Sequence, residues 1–217
     1  LDNTGRQLTV LQMLSMVEFG VGEAERAQAR GEEALALARR LDKPRMLAAS
    51  LNNLAQLYRA QGAFGRAMPL YEEALALARE LGDAETVGIS LLNRAMALIA
   101  DRRPDEARAQ VCHVIGIVDA TGSRALGQSL LEVASGLAAA RGEWTDCATF
   151  YGAAEAQAER SGIRRDPADA AFLASAIARC REAQDSGAAE AQGRAMDYSD
   201  AIAAVRQFLQ PAALTAG

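Results

Sequence analysis

The feature that most constrains this chain is that it restates itself. Glu32-Glu33-Ala34-Leu35-Ala36-Leu37-Ala38-Arg39-Arg40-Leu41 returns as Glu72-Glu73-Ala74-Leu75-Ala76-Leu77-Ala78-Arg79-Glu80-Leu81, nine identities in ten at an offset of 40 residues. The same offset aligns Leu11, Leu51, Leu91 and Leu131, and likewise Ala27, Ala67, Ala107 and Cys147. A period in this range means stacked copies of one supersecondary unit, each of which leaves an apolar face that only its neighbour covers.

Inside one unit the periodicity is helical. Leu51, Leu54, Ala55 and Tyr58 fall at i, i+3, i+4 and i+7, the apolar stripe of an amphipathic helix. Gly62 ends that helix, and a second stripe runs through Ala67, Leu70, Tyr71, Ala74, Leu75 and Ala78 before Gly82, a residue suited to a left-handed cap. Each unit is therefore a helical hairpin. The position shared by Ala27, Ala67, Ala107 and Cys147 is where its two helices touch, so only a small side chain fits there. The pattern predicts an all-α, right-handed superhelical solenoid of at least nine helices. It comprises four hairpins over about 8–41, 48–81, 88–121 and 128–162, followed by a degenerate fifth hairpin and a capping helix over 163–217.

In that tail Asp166-Pro167 opens a helix, with Ala171, Ala174, Ser175 and Ala178 as its stripe, and Asp185-Ser186-Gly187 breaks it. Asp197, with Asp200 three residues on, reads as the cap of a last helix through Ala201, Ile202, Val205, Phe208 and Leu209. A solenoid must cover its last apolar face, and this segment is placed to do so.

Composition narrows the chemistry. Aromatics are 5% and prolines five of 217 residues, so the apolar half consists mainly of small helix formers. With 23 basic and 28 acidic side chains the formal charge is -5, and no basic run accumulates, which argues against nucleic-acid binding. No apolar run is long enough to span a bilayer and no signal sequence opens the chain, so a cytoplasmic protein is expected. A start at Leu1 suggests a piece of a longer polypeptide. Cys112, Cys147 and Cys180 fit neither a disulfide framework nor a metal half-site and read as buried small hydrophobes. His113 is the single histidine, and Cys112 beside it on a helix points elsewhere, so no catalytic constellation is expected. The sequence predicts no catalytic residue, metal or cofactor.

At Leu51, Leu54, Ala55, Tyr58, Gly62, Ala67, Tyr71 and Ala74 the spacing of bulky, small and aromatic positions resembles the tetratricopeptide repeat (TPR). Leu131, Ala134, Ser135, Gly142, Cys147, Tyr151 and Ala154 keep it. The third unit departs, with Arg94 at an apolar position and Arg102 at the glycine, and the period of 40 indicates longer helices than the 34-residue basic repeat has. Tyr151-Gly152-Ala153-Ala154-Glu155-Ala156, Ala191-Gln192-Gly193-Arg194-Ala195-Met196 and Tyr198-Ser199-Asp200-Ala201-Ile202 resemble the C-terminal end of bacterial LuxR-type, ATPase-linked (STAND-like) transcriptional regulators. In those proteins a nucleotide-binding module and a DNA-binding domain lie elsewhere in the polypeptide. No phosphate loop or helix-turn-helix is present here, so the resemblance implies the regulatory sensor part.

Arrays of this kind bind a protein or peptide in the groove lined by their first helices. Here that face is expected to present Gln12, Met16 and Phe19, then Asn52, Gln56 and Arg59, then Leu92, Met96 and Ile99, then Glu132. Only Arg59 and the asparagines could serve a carboxylate clamp, so an adaptable apolar strip for a helix or extended peptide is the better expectation. As solvated residues, Asn52 and Arg59 are expected to matter for binding and little for stability. Three readings stay open: a protein-binding scaffold, favoured; a sensor enclosing a small molecule or signalling peptide; and an enzyme, disfavoured. Pure self-assembly is the remaining reading, and a homo-oligomer is compatible with the other three.

Overall fold

The structure, a computed structural model, describes residues 3–163 and 165–210. It comprises eleven α-helices, and among the described residues there is no strand. Eight of them form four hairpins: α1 (Asn3–Gly20) with α2 (Ala24–Ala38), α3 (Pro44–Ala60) with α4 (Phe64–Glu80), α5 (Ala84–Ala100) with α6 (Pro104–Thr121), and α7 (Arg124–Arg141) with α8 (Trp144–Ser161). The second helix of each hairpin packs on the first helix of the next, α2 on α3, α4 on α5 and α6 on α7, so the chain is a helical solenoid.

The repeat is visible in its turns. Gly62 has φ 72° and Gly142 φ 76°, and the Ala63 amide reaches back to the Tyr58 carbonyl at 2.8 Å, as Glu143 does to Ala138 at 2.9 Å. Such a left-handed residue after the last helical turn satisfies carbonyls that the helix leaves open. Arg102 takes the same conformation, φ 61°, without being a glycine, at a cost of about 1 to 2 kcal/mol. The unit geometry thus overrides local preference where the sequence departs from the repeat.

Ala27, Ala67, Ala107 and Cys147 are each fully buried. The approach there is close enough that the Ser15 hydroxyl donates to the Ala27 carbonyl, and the Ser135 hydroxyl to that of Cys147, both at 2.8 Å. Burial pushes the Cys147 thiol up to about 12, and the residue packs as a small hydrophobe. Cys180 is buried as well, whereas Cys112 is exposed on α6, contrary to the expectation that all three are interior.

Three helices follow: α9 (Pro167–Ala183), α10 (Gly187–Ala195) and α11 (Tyr198–Phe208). Asp166 caps α9, accepting from the Ala168 amide at 2.8 Å, with Pro167 in the first turn. The buried face of α9 is Leu173, Ala176, Ile177 and Cys180; the expected stripe of Ala171, Ala174, Ser175 and Ala178 is exposed. Alanine on every side of this helix makes two stripes equally legible, and only the larger side chains decide which one is buried. Asp197 precedes α11 but its side chain makes no capping hydrogen bond. Helix α10 lies on α8, and α11 returns to α6, α7 and α8, where Phe208 meets Phe150 edge-on at 5.3 Å and Arg206 bonds both Asp119 oxygens at 2.8 Å. The largest apolar cluster runs from Leu75 to Leu209, so the core thickens where the tail folds back.

Candidate partner-binding groove

The 40-residue period builds the groove, since positions one period apart recur on α1, α3, α5 and α7. Phe19, Arg59 and Ile99 form one rung, and Gln12, Asn52, Leu92 and Glu132 another. Across these helices lies α9, which packs on α1, α3 and α7. The face expected to await a partner is already occupied by a later segment of the same chain.

Its seat is specific. Arg59 on α3 is 4% exposed and donates to Asp169 of α9 at 2.5 Å. The guanidinium also stands 5.8 Å from the Phe172 ring centroid. A Cβ added to Gly136 on α7 would lie 2.4 Å from the Phe172 ring, so the glycine is what lets that ring approach. Pro167 sits 3.6 Å from the equivalent point on Gly20, at the end of α1. The chain entering α9 is tethered as well, because Arg165 donates to Glu132 at 2.6 Å and forms an ion pair with Glu155 at 2.6 Å. Burial raises the carboxyls of Glu132 and Asp169, the latter to about 6, with the Arg165 and Arg59 guanidiniums opposing the shift.

The ten residues expected to line the groove divide by neighbourhood. Phe19, Arg59 and Ile99 line a cleft beneath α9, and Met16, Phe19 and Gln56 line a smaller recess beside Pro167. Met16 is 41% exposed. Gln12 donates to the Ser50 hydroxyl at 2.9 Å and Asn52 to the Ser90 hydroxyl at 3.2 Å, each bridging consecutive first helices. Leu92 and Met96 are buried, 2% and 4% exposed, and belong to the core. Glu132 is buried and holds Arg165. Asn52 and Arg59 are thus packed and bonded, not the solvated groove residues expected.

The expected groove residues do not include Gly136, Asp169, Phe172 or Arg165. Gly136 had a signal: it stands one period after Met96, and a glycine at a bulky rung of a helix marks close approach of something else. The cleft left beneath α9 measures about 810 Å³. Phe19, Ile99 and Phe172 supply apolar lining, and Arg102 and Arg179 bring two further guanidiniums. Arg179 is held by the Ala139 carbonyl at 3.4 Å and the Trp144 ring at 5.9 Å. Among the described residues no group of His, Cys, Asp and Glu is placed to hold a metal ion, and no helix is long and apolar enough to cross a membrane.

A stack of antiparallel helical hairpins places this protein in the class of helical-repeat proteins. A tetratricopeptide-repeat family model matches residues 6–80 and 47–119, together more than half of the chain, and the chain belongs to that family. Such repeats generally mediate protein–protein interaction, and they are typically scaffolds rather than enzymes. Two solved structures share the fold. One is BtubC (BKLC) from P. vanneervenii, with TM-score 0.60 and 21% identity, covering 96% of this chain and 84% of that one. The other is a putative kinesin light chain from Podosopora anserina with nearly identical TPR-like repeats, with TM-score 0.56 and 19% identity, covering 97% and 99%. No curated protein matches the sequence significantly.

Proposed function

We propose that the chain is a non-enzymatic interaction module whose groove holds an amphipathic helix of a protein partner. In this reading it is the regulatory sensor part of a larger bacterial signalling or transcriptional regulator working in the cytoplasm. The observation that carries the proposal is the seating of α9. A groove that accepts Asp169 on Arg59 and Phe172 over Gly136 has the features of a helix-in-groove site, with an acidic residue and an aromatic three positions later as the element read. A partner presenting that pair competes with α9. The regulator context rests on the tail resemblance, and its two glycine-bearing stretches meet where Gly152 of α8 crosses Gly193 of α10. The net charge of -5 favours protein over nucleic acid as partner. Unpaired Cys112, Cys147 and Cys180 fit a reducing compartment.

The test is a fluorescence-anisotropy titration of a labelled peptide of residues 166–183 against the wild-type chain and a Phe172→Ala variant. Weakening the resident helix should tighten peptide binding about tenfold, corresponding to roughly 1.4 kcal/mol released from internal competition. A peptide with both Asp169 and Phe172 replaced by alanine should not bind. Absence of binding to either chain sinks this reading.

The sensor alternative is supported by the cleft itself. A volume of about 810 Å³ lies in the range of small-molecule sites. Its apolar lining with Arg102 and Arg179 suits a small carboxylate on an apolar body. Such a ligand would raise the melting temperature without displacing the labelled peptide.

A further inference from the structure

Helix α1 has two apolar faces and buries only one. Leu8 and Leu11 pack with Ala34 and Ala38 of α2, within the hairpin. The second face carries Val10, Met13, Leu14 and Val17, which are 53%, 62%, 42% and 62% exposed, and Val21 in the turn that follows is 71% exposed. Scattered exposed apolar side chains are ordinary, but a continuous stripe at i, i+3, i+4 and i+7 of one helix marks a contact surface.

The repeat says what covers such a face. One period on, Leu54 and Leu57 stand in register with Leu14 and Val17 and are 3% and 5% exposed. They lie against Gly31 of α2, where an added Cβ would meet their methyls at 3.0 and 3.2 Å. In α7 the equivalents Leu130, Val133, Ala134 and Leu137 are all 1% exposed or less. At α3, α5 and α7 the second helix of the preceding hairpin packs on the first helix of the next. A charge pattern accompanies the seat: Arg66 reaches back to Glu32 of the preceding hairpin at 3.0 Å, and its equivalent, Arg26, is 64% exposed and pairs within its own hairpin with Glu18 at 3.1 Å.

We propose that this face of α1 seats one further hairpin of the same repeat, docked through its second helix, so that the array extends by a unit beyond α1. The incoming helix carries a small residue where Gly31 stands in α2, to receive Leu14 and Val17, and an acidic residue at the place of Glu32, to meet Arg26. A second copy of the chain is a poorer occupant. Two α1 faces meeting would set large side chains against large ones with no glycine or alanine to receive them, and at the other end of the array α9 and α10 already cover α7 and α8.

The test joins a duplicate of residues 4–43 in register to Thr4, so that the added α2-type helix, with Gly31 and Glu32, falls on the original α1. The extended chain should melt several degrees higher, since about 1 kcal/mol corresponds to roughly 2 to 4 °C at this size, and should bind no more bis-ANS than the original, because only the α1 of the added hairpin keeps its face open. Val17→Asp in the original α1 should leave the original chain's melting temperature within about 1 to 2 °C, as exposed substitutions do, yet abolish the gain in the extended one. Two results overturn the proposal: an extended chain that melts no higher and binds about twice the dye, or an original chain that runs as a dimer and becomes monomeric on Val17→Asp, which would make a second copy the occupant.

Discussion

Arg59→Ala is expected to destabilise the chain by about 3 kcal/mol near pH 7.5, the lower end of what removing one partner of a buried ion pair costs. Arg59 is 3% exposed at its side chain and Asp169 23%, so the carboxylate left behind is largely cut off from water. The substitution also removes the guanidinium packed near Phe172. The loss should shrink in acid. Burial raises the Asp169 carboxyl to about 6 despite the attraction of Arg59, against an unfolded value near 3.8, so the folded state binds the proton more tightly than the unfolded state. By linkage, the stability contributed by that proton is fully present below about pH 4 and disappears as pH rises through about 6. Denaturant melts at pH 5 and 7.5 check both points: Arg59→Ala should cost clearly less at the lower pH, and Asp169→Asn should flatten the dependence. An Arg59→Ala chain as stable as wild type at both values would remove the pair from the docking of α9.

Gly193→Val should be as damaging, for a different reason. Helices α8 and α10 cross with backbone against backbone: a Cβ on Gly193 would stand 1.9 Å from the Thr149 carbonyl oxygen, and one on Gly152 2.1 Å from that of Glu190. No side chain can swing aside there, so one helix must move. The expected cost is about 3 kcal/mol, the upper part of the overpacking range, with α10 and α11 losing amide protection first. Gly116→Ala supplies the contrast, since it lies in α6 with nothing within 4 Å of its added Cβ. It should stabilise by about 1 kcal/mol through helix propensity alone. If both substitutions had the same small effect on thermal melts, the crossing would not be a close one.

The contrast between what the sequence reveals and what it conceals follows contact range. Helix pairing, the left-handed turn positions and the shared small-residue site are local or repeat at 40 residues, and any one unit teaches the rest. Even Arg102, the residue that breaks the pattern, adopts the conformation the pattern requires. The contents of the groove were not legible, because Arg59 meets its partner 110 residues later in the chain. Nothing in the local periodicity around Arg59 or Asp169 announces that pairing, and from the register alone Arg59 and Asn52 look like solvated groove residues. Leu92 and Met96 mislead in the same way: their rung is assigned correctly, but tertiary neighbours close over it. Helix α9 hid its orientation in its alanines, whereas Gly136 was a readable trace of the aromatic that lies against it.

The chain's own α9 fills the groove face, and nuclear Overhauser contacts in the unmodified protein test that seating. Cross-peaks are predicted between the Phe172 ring protons and the Gly136 α-protons, and between the Pro167 ring and the Gly20 α-protons, alongside slow amide exchange from Leu173 to Arg181. Absence of both cross-peaks, with α9 amides exchanging as freely as a solvated helix, would contradict it.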